Sequence, residues 1–266
     1  MITPMMKWER PSAVESLGTI MRTTVTAALI GILSVVSIQV VGDDTRLKID
    51  TLPPQSLESL RPWLFADMSL AELEKNSSQV EPWVSFHKAF VASQHDDAAT
   101  ARRELTTITK SSETRVQLLA WNALRGLGVR PDAKEAAIIR GVIAELHNEG
   151  GVGVVAAYDD GRARFLGGTS GGVIWESPGT DAEISRLIRA FLVAAEPIVH
   201  TLRPMSRHNA TPVAMNYVRV TVLTFGGTYV ADAYGPELDE HSQVTPSLIA
   251  STELLRALTR KRAAGK

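Results

Sequence analysis

Residues 139–176 read IRGVIAELHNEGGVGVVAAYDDGRARFLGGTSGGVIWE. Short runs of valine, isoleucine, alanine and aromatic residues are separated by glycine and aspartate pairs. Gly150-Gly151 and Asp159-Asp160-Gly161 are turn sequences, because glycine tolerates positive φ and aspartate bonds its own backbone. The runs they join, 152–158, 162–166 and 173–175, are of strand length. The stretch therefore predicts an antiparallel meander of four short strands, each hiding one side in a core by the two-residue period.

Downstream, residues 181–202 carry Ile184, Leu187, Ile188, Phe191 and Ile198 at helical spacing. Thr180 or Asp181 suits the N-cap, and Pro197 bends the helix. Residues 217–224 alternate Val218, Val220 and Val222 against Arg219 and Thr221. Gly226-Gly227 turns the chain into a sixth strand over 228–233. A closing helix is expected over 247–258, and 260–266 reads as a basic, frayed tail. Four strands, a long helix, two strands and a helix make an α+β layer, an antiparallel sheet with helices packed on it. This element order resembles the profilin-like or roadblock type of scaffold. One sheet face is left needing cover, either by the N-terminal helices or by a second subunit.

The first part of the chain, 1–131, reads as a mostly helical region, and 132–266 as the α+β domain. Ser69 with Glu72 forms a capping box. Helices are expected over 83–94, from a cap at Asp96 or Asp97 to about Thr109, and over 113–127, with Gly128 as C′ residue. Residues 54–64 predict a short helix broken near Pro62. The pair over 83–109 resembles one tetratricopeptide-type hairpin, with alanines where the helices approach. It lacks the usual glycine–tyrosine pattern and has no second copy, whereas a solenoid needs about three. An ordinary helical hairpin packed on a sheet meets the same pattern.

Residues 23–41 contain no charge and are just long enough to span a bilayer, with Lys7, Arg10 and Arg22 keeping the N-terminus inside. The same residues also read as a helix followed by strands. Val36, Ile38 and Val40 alternate with polar residues, Gly42-Asp43-Asp44 turns, and Leu47 and Ile49 alternate again. That favours a β-hairpin over about 34–49, because an anchor helix has no need of alternation beyond its charges.

The chain has 266 residues, a formal charge of −1 and no cysteine. Residues 1–130 hold 14 basic and 14 acidic side chains, leaving 14 and 15 of the 28 and 29 for the rest. Such balance argues against a dedicated nucleic-acid binder. Absence of cysteine excludes disulfides, thiolate metal sites and a cysteine nucleophile. No cofactor or metal is expected.

Candidate sites are few. Arg162 and Arg164 share a strand face and suit an anion or a partner carboxylate, although a turn with a solvated strand face is the favoured account of them. Trp175 at a strand end suits an interface anchor. Glu196, His200, Arg203 and His208 gather near one helix end as a weak pocket, with too few ligands for zinc. The glycine loop 167–172 is followed by a strand rather than a helix, so it is no phosphate loop. Asp232, Glu237, Asp239, Glu240 and His241 read as a solvated acidic loop.

These features favour a non-enzymatic, bacterial-type, cytoplasmic scaffold or adaptor that joins protein partners or copies of itself as a homo-oligomer. Two other readings stand beside it. One is a single-pass protein of the inner membrane. The other is a small-molecule hydrolase using His200 or His208 with Glu196 and an arginine.

Overall fold

The computed structural model describes residues 57–75, 78–167, 171–205 and 213–264. The N-terminal helices are α1 (Leu57–Leu64), α2 (Leu70–Glu74), α3 (Trp83–Gln94), α4 (Ala98–Ile108), α5 (Thr114–Gly126) and the single turn α6 (Ala133–Ala136). The meander follows as β1 (Ile139–Asn148), β2 (Gly151–Tyr158), β3 (Ala163–Gly167) and β4 (Gly171–Trp175). Then come α7 (Ala182–Ala194), α8 (Glu196–Thr201), β5 (Tyr217–Thr224), β6 (Gly227–Tyr234) and α9 (Thr245–Ala264). All strands pair antiparallel in one sheet of order β4-β3-β2-β1-β5-β6.

The sheet is a middle layer. On its first face Val142, Ala144, Val155, Ala157, Phe165 and Val220 meet Ile184, Ile188 and Phe191 of α7 and Leu248, Leu254 and Leu258 of α9. On its second face Ile143, Val154, Ala156, Tyr158 and Leu223 meet Phe86, Leu105, Leu119 and Leu124 of the N-terminal helices. The helices therefore supply the cover that the second face requires. Because both faces are covered, β1 is buried continuously from Gly141 to Leu146 rather than on one side only. Tyr158 lies against Gly141 of the paired strand. A Cβ at Gly141 would stand 2.9 Å from the tyrosine ring, so glycine makes the room. The Tyr158 hydroxyl donates to the Leu64 carbonyl at 2.7 Å and so binds sheet to helices.

A charged tie also crosses this interface. Glu145 on the second face is fully buried, and Arg61 of α1 is only 4% exposed. The guanidinium forks onto the carboxylate through Nη1–Oε1 and through Nη2–Oε2 at 3.3 Å. It also lies 4.8 Å from the Phe65 ring centroid. Pro62 does not break α1, which continues to Leu64. The carbonyls of Arg61 and Pro62 accept from Phe65 and Asp67, so the end of the helix stays bonded.

The expected caps are in place. Ser69 and Glu72 form the capping box, Asp97 caps α4, and Gly128 has φ +80° after α5. The long helix predicted over 181–202 divides at Ala195, with Pro197 in the first turn of α8. The described part of the tail is helical, since α9 runs on to Ala264. Arg260 reaches Glu183, and Lys261 Nζ lies 2.7 Å from Asp181, the N-cap of α7. Those cations also sit at the favourable end of the α9 dipole.

The expected membrane contact requires correction. No helix among the described residues is long and apolar enough to cross a membrane. The longest, α9, has 20 residues but carries Glu253, Arg256, Arg260, Lys261 and Arg262. Residues 23–41, and the hairpin expected over 34–49, lie outside the described residues.

Two measurements check this account. Glu145→Ala strands a buried guanidinium and is expected to cost about 3–5 kcal/mol in urea unfolding, whereas the double change Arg61→Met with Glu145→Leu costs far less. The Asp181 carboxyl is held below the usual carboxylate range, first by its hydrogen bond to Lys261 and then by the Ile184 amide. A depressed pKa stabilises the fold above the unfolded value and ceases to do so as pH falls through the folded value. Asp181→Asn should therefore flatten the acid limb of a Tm-versus-pH curve. The Lys261 ammonium is raised by Asp181, so its share of the tie is present below its unfolded pKa and fades at strongly alkaline pH.

Candidate functional site

Arg162 and Arg164 lie where the β2–β3 turn meets the start of α5. The turn forms as its sequence requires: Gly161 has φ +86°, and the Arg162 amide donates to Asp160 Oδ1 at 3.0 Å. The two aspartates then reach beyond their hairpin. Asp160 Oδ2 accepts from the Thr114 amide at 2.8 Å, and Asp159 Oδ1 accepts from the Thr114 hydroxyl. Glu113, at the N-cap position of α5, makes no side-chain cap, so the cap comes from a residue 46 positions away. Asp159 also accepts from Arg140 at 2.8 Å, whose guanidinium lies 4.4 Å from the Phe225 ring centroid.

Behind this turn lies a cluster of three arginines. Arg164 is 6% exposed and Arg115 of α5 is 3% exposed. Glu176, just after β4, takes all three: Arg164 through a direct bond, Arg162 Nε at 2.9 Å and Arg115 at 3.7 Å. Arg162 also pairs with Asp160 at 2.8 Å, and Arg115 with Glu113. The Arg115 guanidinium lies between the Trp63 and Tyr158 rings, 5.5 and 5.6 Å from their centroids. Burial, and then the like charge of Arg115, bring the Arg164 pKa down to about 10. Three cations thus face Glu113, Asp160 and Glu176 of the same chain, and the cluster joins the helical layer to the β2–β3–β4 end of the sheet.

Trp175 is not part of this cluster. It pairs with Ala163 and packs half-buried on the first face, on the opposite side of the sheet from Arg164. Next to it, Ile174 pairs with Arg164 and is 39% exposed on the terminal strand. Glu196, His200 and Arg203 are exposed on and after α8, and His208 lies outside the described residues. Among the described residues no three His, Asp, Glu or Cys side chains are grouped to hold a metal ion.

The cavities among the described residues include two in the helical layer. One of about 410 Å³ is lined by residues of α2, α3 and α5, including Arg125. The other, an open groove of about 650 Å³ along α3 and α4, is lined by His87, Lys88, His95, Arg103 and Glu104 among others. Neither draws on Glu196, His200 or Arg203.

Sequence reasoning missed Arg61, Glu145, Arg115 and Glu176. The signal was present for Glu145, a charge with apolar residues on both sides inside a strand. A buried charge needs a partner, but the sequence does not say which one.

Asp160→Ala removes the α5 cap together with the ion pair to Arg162. It is expected to lower stability by about 1–2 kcal/mol in chemical denaturation, while Asp160→Asn retains part of the cap. No family model, no curated protein and no solved structure matches this chain.

Proposed function

We propose that this protein is a non-enzymatic scaffold or adaptor that associates with protein through the β4 end of its sheet, a second copy of itself being the simplest partner. The observation carrying this reading is Ile174, an exposed aliphatic side chain on the terminal strand of the sheet among the described residues. A terminal strand offers unpaired backbone groups to an incoming strand. Here that strand is tied from behind, because its neighbour Arg164 and Glu176 beyond its end both belong to the arginine cluster. The two aspects also divide the labour: each arginine of the cluster has a carboxylate partner within the chain, and the apolar residue is left at the edge.

The profilin-like or roadblock-like element order, and a cytoplasmic location, belong to this same proposal. Glu196, His200 and Arg203, on which the hydrolase alternative rests, line neither of the two cavities described.

Light scattering on the eluting full chain tests the idea. The unaltered protein should run as a dimer or larger species, and Ile174→Lys should run as a monomer with unchanged far-ultraviolet circular dichroism. A monomer at all concentrations for the unaltered chain, or an oligomer indifferent to Ile174→Lys, would overturn the assignment to β4.

A further inference from the structure

The cavity of about 410 Å³ has the volume of a small-molecule site, for which 300–1,000 Å³ is typical. Its lining has two kinds of wall. Met68, Leu70, Ala123 and Leu127 make it apolar on one side. Arg125, in the last turn of α5, and Arg130, four residues beyond its end, make it cationic on the other.

Those arginines are only partly used within the chain. Arg125 Nη1 donates to the Phe225 carbonyl at 2.6 Å and Nη2 to Asn122 at 3.2 Å. Its Nε is buried and has no partner among the described residues. Arg130 Nη1 donates to the Arg125 carbonyl at 3.0 Å, and Arg102 reaches the Leu127 carbonyl from α4 at 2.8 Å. Three guanidiniums therefore converge on one helix end. Two carboxylates lie nearby. Asp67 acts on Arg125 by its charge, and Glu72 already accepts from the amide and hydroxyl of Ser69. Burial, and then the charge of Arg130, pull the Arg125 pKa down to about 10, so an added anion would relieve a real electrostatic cost.

We propose that this cavity binds a small amphipathic carboxylate, its head on Arg125 and Arg130 and its aliphatic tail against Met68, Leu70, Ala123 and Leu127. Guanidinium forks match carboxylates in geometry and charge. The apolar wall selects for a tail that a bare anion lacks. This site is separate from the β4 edge, so the two proposals stand or fall independently.

Octanoate is the probe, titrated into the full chain by calorimetry and followed by tryptophan fluorescence. Trp121, stacked on Phe225 at 5.6 Å, adjoins the Asn122 of the lining and reports the event. The expected result is saturable one-site binding of octanoate, with octanol about tenfold weaker or worse because a charge-assisted hydrogen bond is lost. R130Q, an exposed position, should weaken octanoate about tenfold on the same grounds, and A123L should do so by filling the cavity. The proposal is overturned if octanol matches octanoate, if inorganic phosphate matches it, or if octanoate does not bind. It is equally overturned if folded R130Q and A123L bind octanoate as the unaltered chain does. The octanol and phosphate arms use the unaltered protein and need no variant.

Discussion

A carboxylate with no contact to water, Glu145, sits in the central strand of the sheet and takes its counter-charge from Arg61 on the first described helix. Removing such a pair from water costs several kcal/mol per ion before their attraction returns anything. The arrangement is tolerable only when both partners are in place, which means only when the helical layer is docked. The pair thus acts as a condition on assembly: a docked layer with the wrong register would leave two bare charges inside. Around it, Tyr158 and Leu64 add a neutral hydrogen bond, and the Arg115 guanidinium lies near both the Trp63 and the Tyr158 rings. The apolar contacts of Ile143, Val154, Ala156 and Leu223 then provide attraction without direction, and the polar ties provide the direction.

The second charged assembly works differently. The arginine cluster around Glu176 lies nearer the surface, with Glu176 itself about a quarter exposed. Its parts come from α5, the β2–β3 turn and the end of β4. Each cation finds a carboxylate within the chain, so its main effect is to hold the far end of the sheet against the helices.

Much of the architecture was legible in the sequence because its strands are bounded by unambiguous turns. Gly150-Gly151, Asp159-Asp160-Gly161 and Gly226-Gly227 each stand at a hairpin, and Ser69, Asp97 and Asp181 each cap the helix expected of them. What the sequence concealed was long-range pairing. Arg162 and Arg164 read as a surface pair because alternation places them on one strand face, and nothing local shows that α5 covers that face. The helical tail beyond Leu258 was hidden for the same reason: its basic residues look like a solvated end until Asp181 and Glu183 are seen beside them. The small cavity depends on three separate helices meeting, so no stretch of sequence contains it.

The order in which this chain leaves the ribosome follows from where the second face finds its cover. Residues of α1 to α5 are translated before any of the described strands, yet the wall they pack on is made by Ile143, Val154, Ala156, Tyr158 and Leu223. Until the β1–β2 hairpin emerges, Phe86, Leu105 and Leu119 have no sheet to bury against, and Arg61 has no Glu145. The early helices must wait as a sticky, half-finished layer, the situation in which nascent chains engage chaperones.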